Sequence, residues 1–457
     1  MEYLKQSLLH DGNCTRTIPL DLLVEIFLLL PTKSLIRFQS VSKLWFYAIR
    51  SKIFVDLILT RSKARPRLLL SLGGHGSKEG FIFSAPEHDN NDDEKSSTVM
   101  ARYHMNNLEP GYFLDSGSVN GFFLGVVPGI CVCNPINVYN PTTGQIVKLP
   151  EVRTNGRKMY ARLGYDPVDD QYKVLCVVMA RSKAKCWQPE HLVCTVSSSS
   201  QKQEWRKIEN TTGGNYHSVY GETCIDGALY YGAGKSRIVK FNVRSEKIEF
   251  IKTPQESQIS TTYHHSTLIN YKGKLGGVDY HCTENSMTLW VLEDAEKQEW
   301  SSMTCDLPST WKDLLGFYVR SKGVSHTGEL MVFYPGVKPP KPFSVCYYDF
   351  NKMSIRKVEI QGMVDGDFRR IHGIAQINRC VYVYKTLKII STPFTISCNG
   401  RFQGVSKLWL SIIRSKDYVD TFLTSFVFSA PEHQNVEDDK PSTTVIGRHD
   451  MTISDLV

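Results

Sequence analysis

Lys240-Phe-Asn-Val-Arg-Ser-Glu-Lys-Ile-Glu-Phe250 reads as a short strand, a polar turn and a second short strand. Four other segments read the same way. Val138-Tyr-Asn-Pro-Thr-Thr-Gly-Gln-Ile-Val147 is one, and Tyr347 to Val358 is another. Val193 to Val196 leads through a Ser-rich turn to Gln203-Glu-Trp-Arg206, and Leu289 to Asp294 leads to Gln298-Glu-Trp300. The turns centre near 143, 200, 245, 295 and 352, after an acidic turn near 90. The tetrapeptide Lys-Gln-Glu-Trp stands at both 202–205 and 297–300, two periods apart. A recurrence of about 45–57 residues, each unit holding about four short strands, fits the blades of a β-propeller. Hairpins of a sandwich recur faster and without this long period.

The texture around these hairpins agrees. Leu68 to Leu70, Phe81 to Phe83, Lys173 to Val178, Ala228 to Tyr231, Leu330 to Tyr334, Val345 to Tyr348 and Val381 to Tyr384 are short β-branched or aromatic runs. Helical periodicity is nearly absent there. About six units fit between 68 and 390, and a closed ring hides the edges that an open sheet of this size would expose. Gly227, Gly273 and Gly328 each precede an apolar strand and read as turn glycines. Equivalent places in two blades are expected for Trp205 and Trp300.

The N-terminal sixty residues differ. Ile18-Pro-Leu-Asp-Leu-Leu-Val-Glu-Ile-Phe-Leu-Leu-Leu-Pro31 holds only two polar residues, Asp21 and Glu25, between Leu20 and Leu30. Pro19 suits the first turn of a helix, Thr17 can cap it, and Pro31 stops it. Leu22, Leu23, Ile26, Phe27 and Leu30 recur at helical spacing, and Val24, Leu28 and Leu29 widen the stripe. A helix apolar nearly all round is buried on several sides. Leu35 to Val41 and Leu44 to Ile49 continue as amphipathic runs. A unit of about 45 residues is near the lower limit for independent folding. Its surplus apolar surface is covered either by a partner protein or, as a helical cap, by the downstream domain. The run is short of the ~20 residues of a membrane span and carries two carboxylates.

Net charge is +8 over 457 residues, with 41% hydrophobic and 22% charged residues. Residues 1–70 hold eleven Lys and Arg against five Asp and Glu, while the rest is nearly neutral. That distribution argues against a nucleic-acid groove in the body. No signal peptide is evident, since the apolar run begins late and contains acids, and the twelve cysteines lack framework spacing. They read as reduced thiols of a cytoplasmic or nuclear protein.

Catalytic spacing is missing. Gly73 to Gly80 is glycine-rich but matches neither the phosphate loop nor the dinucleotide fingerprint, and reads as a turn. The pair His264-His265 lacks the spacing and the glutamate of a helical zinc site. No nucleophile elbow occurs. Cys131 and Cys133 lack the second pair that a metal would need. The expectation is no catalytic residue, no cofactor and no metal.

Two resemblances add names. Ile18-Pro19, Leu22, Ile26, Leu30-Pro31, Leu35 and Val41-Ser-Lys-Leu-Trp45 resemble the F-box pattern, with Ile18 in place of the usual Leu. That resemblance implies docking onto a SKP-family adaptor and, through it, a cullin-based SCF-type ubiquitin ligase. It makes Pro19, Leu22, Ile26, Leu30, Pro31, Leu35, Val41 and Trp45 the adaptor-binding residues. Residues 68–390 resemble the kelch-like F-box-associated domain of plant F-box proteins. The matching motifs include Asn140-Pro-Thr-Thr-Gly-Gln145, Leu149-Pro150, Gly164-Tyr-Asp-Pro167, Gln171 to Leu175 and Cys224 to Tyr231.

The expected organisation is a flexible 1–16, a three-helix F-box over 17–60, a propeller of about six blades over 68–390, and a loosely packed 391–457. The tail repeats earlier sequence: Arg401 to Trp409 repeats Arg37 to Trp45, and Phe426 to His433 repeats Phe81 to His88. It lacks a copy of Ile18 to Pro31. The implied function is a substrate receptor that brings an unknown target protein to the ligase, with no nucleic acid or membrane involved. The alternative is a stand-alone kelch-like propeller, scaffold or oxidase-like enzyme, with a vestigial helical cap.

Overall fold

The computed structural model describes residues 20–30, 32–51, 53–54, 57–58 and 60 and, between 67 and 386, the strands and turns named below. Pro19, Pro31 and the repeated sequence in 391–457 lie outside the described residues. The chain divides into two units, the first containing the helices up to Val55 and the second running from Asp56 to Ser397.

The helical unit has α1 over Leu20–Leu29, α2 over Thr32–Phe38 and α3 over Lys43–Arg50. Its core is aromatic. Phe27 is fully buried and meets the rings of Trp45 at 5.1 Å, Phe54 at 6.1 Å and Phe38 at 6.2 Å. Leu23, Leu35, Ala48 and Ile49 complete it. Serines punctuate the helices. Ser42 caps α3 by accepting the Trp45 N–H at 3.1 Å. Ser51 donates to the Ala48 carbonyl and accepts the Phe54 N–H, which turns the chain back over the cluster.

The second unit is a ring of antiparallel sheets. In chain order, from innermost to outermost strand, the first blade is Cys380–Thr386, Arg67–Gly73, Gly80–Pro86 and Ala101–Met105. The second is a smaller sheet of Phe123–Val126, Ile136–Asn140 and Gln145–Lys148. The third holds Met159–Asp166, Gln171–Arg181, Trp187–Val196 and Arg206–Lys207; the fourth, Val219–Ile225, Ala228–Ala233, Arg237–Asn242 and Ile248–Lys252. The fifth holds Ser266–Tyr271, Lys274–His281, Ser286–Asp294 and Glu299–Asp306. The sixth holds Arg320–Val324, Leu330–Phe333, Phe343–Asp349 and Ser354–Gln361, plus Ser96–Thr98 on its rim. Five sheets therefore have four or more strands, and the second place is held by three strands among the described residues. The first blade is completed from far along the chain: Leu68 to Leu72 pair with Lys385 to Val381.

Successive residues of a strand point to opposite faces, so each blade feeds two seams. Val174 and Cys176 face the second blade with Val138 and Leu163. Leu175 and Val177 face the fourth with Leu229 and Phe241. Ile238, Ile251, Leu268 and Leu275 fill the next seam. Val278, Leu289, Leu330 and Tyr348 follow. Leu70, Phe83, Phe333 and Val345 join the sixth blade to the first.

The repeated turns share one device. Asn242, Asp294 and Asp349 accept backbone N–H bonds from two or three residues on, at 2.8–3.2 Å. Four residues after each stands a left-handed residue, Glu246, Gln298 or Met353, with φ of 58°, 58° and 48°. Asp166 and Asp170 repeat it within the third blade. An Asp or Asn side chain that mimics a backbone turn, followed by a left-handed residue, is a local solution that a sequence can write many times.

The two tryptophans do occupy equivalent places. Each stands at the outermost strand of its blade and donates its indole N–H to the end of the preceding blade. Trp205 reaches the Pro150 carbonyl at 2.7 Å, and Trp300 reaches the Lys252 carbonyl at 3.0 Å. Gly227 and Gly273 stand at φ of 78° and 86°, behind Asp226 and Lys272 at 41° and 52°. Two left-handed residues in succession make the tight hairpin turn that suits twisted strands. Gly328 is also left-handed, at 89°.

Candidate functional site

Two surfaces stand out, one on each unit. On the helices, Leu22 is 45% exposed and Leu29, seven residues on, is 39% exposed. Seven residues are two helical turns, so both lie on one outward stripe, with Ile26 half-buried between them. Val41, Tyr47, Ile53 and Leu57 are exposed as well. In all, six of ten exposed large apolar side chains among the described residues fall within residues 22–57. Scattered singly, such residues need no explanation; concentrated in one short stretch they make it a candidate interaction surface.

The structure divides the expected adaptor-binding residues. Leu22 and Val41 are exposed, and Ile26, Leu30 and Trp45 are half-buried. Leu35 is 4% exposed and belongs to the core. Trp45 packs on Phe27 and on Phe38, at 5.2 Å, so it props the surface from behind. Leu29 and Tyr47 are exposed residues that the motif reading passed over. Leu29 belonged to the wide apolar stripe, but periodicity alone does not say which edge of such a stripe faces out.

On the propeller, a cavity of about 680 Å³ opens where hairpin turns of successive blades converge. Asn120, Pro167, Asp226, Lys272 and His326 come to it from five successive blades. Its wall holds a buried ion pair, Arg162 Nε to Glu222 Oε2 at 2.7 Å, across the third and fourth blades. His326 Nδ1 lies 3.3 Å from the buried Glu87 carboxylate, tying the sixth blade to the first. Cys224 also lines the cavity, and burial pushes its thiol up to about 11, away from a reactive thiolate. Deeper in, His191 Nε2 shares a hydroxyl cluster with Tyr216 and Tyr231 at 2.7 and 3.2 Å, and burial pulls its pKa down to about 4. The imidazole there is neutral and structural.

Among the described residues, no three His, Cys, Asp or Glu side chains converge as a metal site. No described helix is long and apolar enough to cross a membrane. Gly74 to Lys78 and the His264-His265 pair lie outside the described residues.

Comparison with known proteins gives the same two-part picture. Residues 17–57 match the F-box domain, and residues 67–386 match the F-box associated beta propeller domain. The Arabidopsis thaliana F-box protein At1g30790 is 36% identical over 385 residues, covering 78% of this chain and 93% of that protein. F-box protein DOR of the same plant is 36% identical over 377 residues, covering 79% and 92%. The F-box/kelch-repeat protein At3g04660 is 32% identical over 364 residues, covering 76% and 88%. A helical unit with an unsatisfied apolar face, a ring of repeated hairpins and these matches across both lead to one assignment: the chain belongs to the F-box proteins that carry an F-box associated β-propeller.

Proposed function

We propose that this chain is the substrate-recognition subunit of an SCF-type, cullin-based ubiquitin ligase. Its helical unit docks a SKP-family adaptor, and its propeller holds the target protein. The observation that carries this reading is the outward stripe of Leu22, Ile26 and Leu29 on a helix whose other side, Leu23 and Phe27, is already buried. Leu30 and Val41 join the adaptor interface, Pro19 and Pro31 are assigned to it by the motif alone, and Leu35 and Trp45 hold its shape from inside. Ubiquitin transfer belongs to other subunits. This chain contributes proximity, raising the effective concentration of target near the transfer site. The mouth lined by Asn120, Asp226, Lys272 and His326 is the propeller's candidate target surface, because loops on a rigid ring vary without disturbing it. The complex works in the cytoplasm or nucleus.

The test is co-purification of the full chain with a SKP-family adaptor. Wild-type chain retains the adaptor, and the Leu22→Ala, Ile26→Ala variant loses it while keeping its fold. Equal retention by both would sink the reading.

A further inference from the structure

The outer edge of a blade presents unpaired N–H and C=O groups, and natural sheets blunt such edges. Several blades here do so. The outermost strand of the third is only Arg206–Lys207. In the fourth, Lys252 gives its N–H to Gln298 Oε1 at 3.1 Å and its carbonyl accepts the Trp300 indole. In the sixth, Glu359 to Gln361 pair in parallel with Ser96 to Thr98. The fifth blade differs. Its outermost strand, Glu299–Asp306, is eight residues long and contains no Lys, Arg or Pro. Nothing pairs with its outer side among the described residues. Ser301 to Thr304 are exposed.

The ladder fixes which groups face out. Leu307 N–H donates inward to the Asn285 carbonyl at 2.9 Å. Antiparallel bonding alternates along a strand, so Cys305, Met303 and Ser301 also bond inward. The N–H and C=O of Ser302 and Thr304 then face the free edge. Beside them lies a groove of about 330 Å³ lined by Tyr271, Leu289, Val291 and Met303. The edge is acidic on balance: Glu293, Asp294, Glu296, Glu299 and Asp306 stand against Lys297 and the groove-lining Lys272 and Lys274, with Lys274 paired to Glu293 and Lys297 to Asp294.

We propose that this edge takes up an extended segment of the target protein as an added strand. The segment carries Lys or Arg on its flanks and an apolar side chain at alternate positions. Main-chain bonds to Ser302 and Thr304 give affinity, the groove reads the apolar side chains, and the acidic surroundings select basic flanks. The chain itself supplies the precedent, since Ser96–Thr98, preceded by Lys95, already sits on the rim of the sixth blade. The proposal rests on the receptor reading for the source of the segment.

The test uses full-length chain and a labelled peptide, Lys-Lys-Ser-Val-Thr-Val-Ser-Lys-Lys, in fluorescence anisotropy. Wild type and Ser302→Ala bind it saturably. Ser302→Pro removes one outward N–H, leaves the inner ladder intact and binds about tenfold more weakly. Added salt weakens binding further, and N-methylation of alternate peptide residues abolishes it in one of the two registers. No saturable binding to wild type overturns the proposal, as does equal binding by folded Ser302→Pro. Self-association of wild type that Ser302→Pro abolishes also overturns it, because the occupant is then a second copy. Should Ser302→Pro fail to fold by near-ultraviolet circular dichroism, the two N-methylated peptides decide alone. Adaptor pull-down on the same samples separates the readings: peptide bound without adaptor sinks the receptor function, and adaptor bound without peptide sinks the edge.

Discussion

The helical unit and the propeller treat large apolar side chains in opposite ways. In the propeller Tyr172, Tyr231, Tyr347, Tyr348, Phe83, Phe122, Phe241 and Phe333 are all interior. The exposed ones there, Ile146, Val168, Met303 and Met353, stand on separate strands or turns. The helices bury Leu23 and Phe27 but leave Leu22 and Leu29 outside on the same ten-residue segment. One unit buries nearly all of its own hydrocarbon, and the other leaves an apolar face over. The difference shows which part of the chain its own folding satisfies and which part has surface to spare.

The largest expected effect lies inside the helical core. Phe27→Ala removes a fully buried ring that three other aromatics touch. It should cost about 3–5 kcal/mol and unfold the helices while leaving the propeller intact. Hydrogen exchange by mass spectrometry on the full chain checks this, as loss of protection over 20–58 only.

Acid should act on the other unit. Between about pH 6.5 and pH 4 the unfolded state protonates its histidine while buried His191 stays neutral, so this group makes the fold less stable as pH falls. Asp279 works against it. Burial pushes its carboxyl up to about 6, so between pH 6 and 4 the native state keeps a proton that the unfolded state releases, and stability rises as pH falls. Asp279→Asn removes the opposing contribution, and the propeller should then lose about 3 kcal/mol from pH 6.5 to pH 4. Urea unfolding at each pH reads the slope; a variant no steeper than wild type breaks the argument.

On the outward stripe the effect moves from stability to association. Leu22→Ala should leave the melting temperature nearly unchanged and weaken adaptor binding by about 2 kcal/mol, provided it is a central anchor. A variant that loses stability instead would place Leu22 in a core. The smallest effect is expected at Gly273, where an added Cβ meets nothing within 4 Å but φ is 86°. Gly273→Ala should therefore cost about 1–2 kcal/mol, from backbone strain alone. Thermal unfolding measures it, and adaptor binding should not change.

Much of the ring was legible because its turns are local. Asn242, Asp294 and Asp349 announce the same turn at each repeat, and Lys-Gln-Glu-Trp marks two equivalent outer strands. Ser96–Thr98 was not legible, since three small polar residues carry no strand signal and their pairing is set by Glu359 to Gln361, far along the chain. The interface stripe was legible only as a segment. Leu22 and Leu23 look alike in sequence, and only the packing of Phe27 against Trp45 decides which of them turns inward. Leu35 entered the interface list through its motif, although burial places it in the core.

The pairing of Leu68 to Leu72 with Val381 to Lys385 sets a timetable for the birth of the protein. Some 300 residues must be synthesised between the two strands, which at about 5–20 residues per second takes on the order of 15–60 seconds. Throughout that interval the first blade lacks its innermost strand, and the backbone of Leu68 to Leu72 has an open side. Contacts of such long range also slow folding. A nascent chain that stalls before Cys380 therefore holds five blades and an unclosed ring, and is itself a candidate for the quality control that clears unfinished proteins.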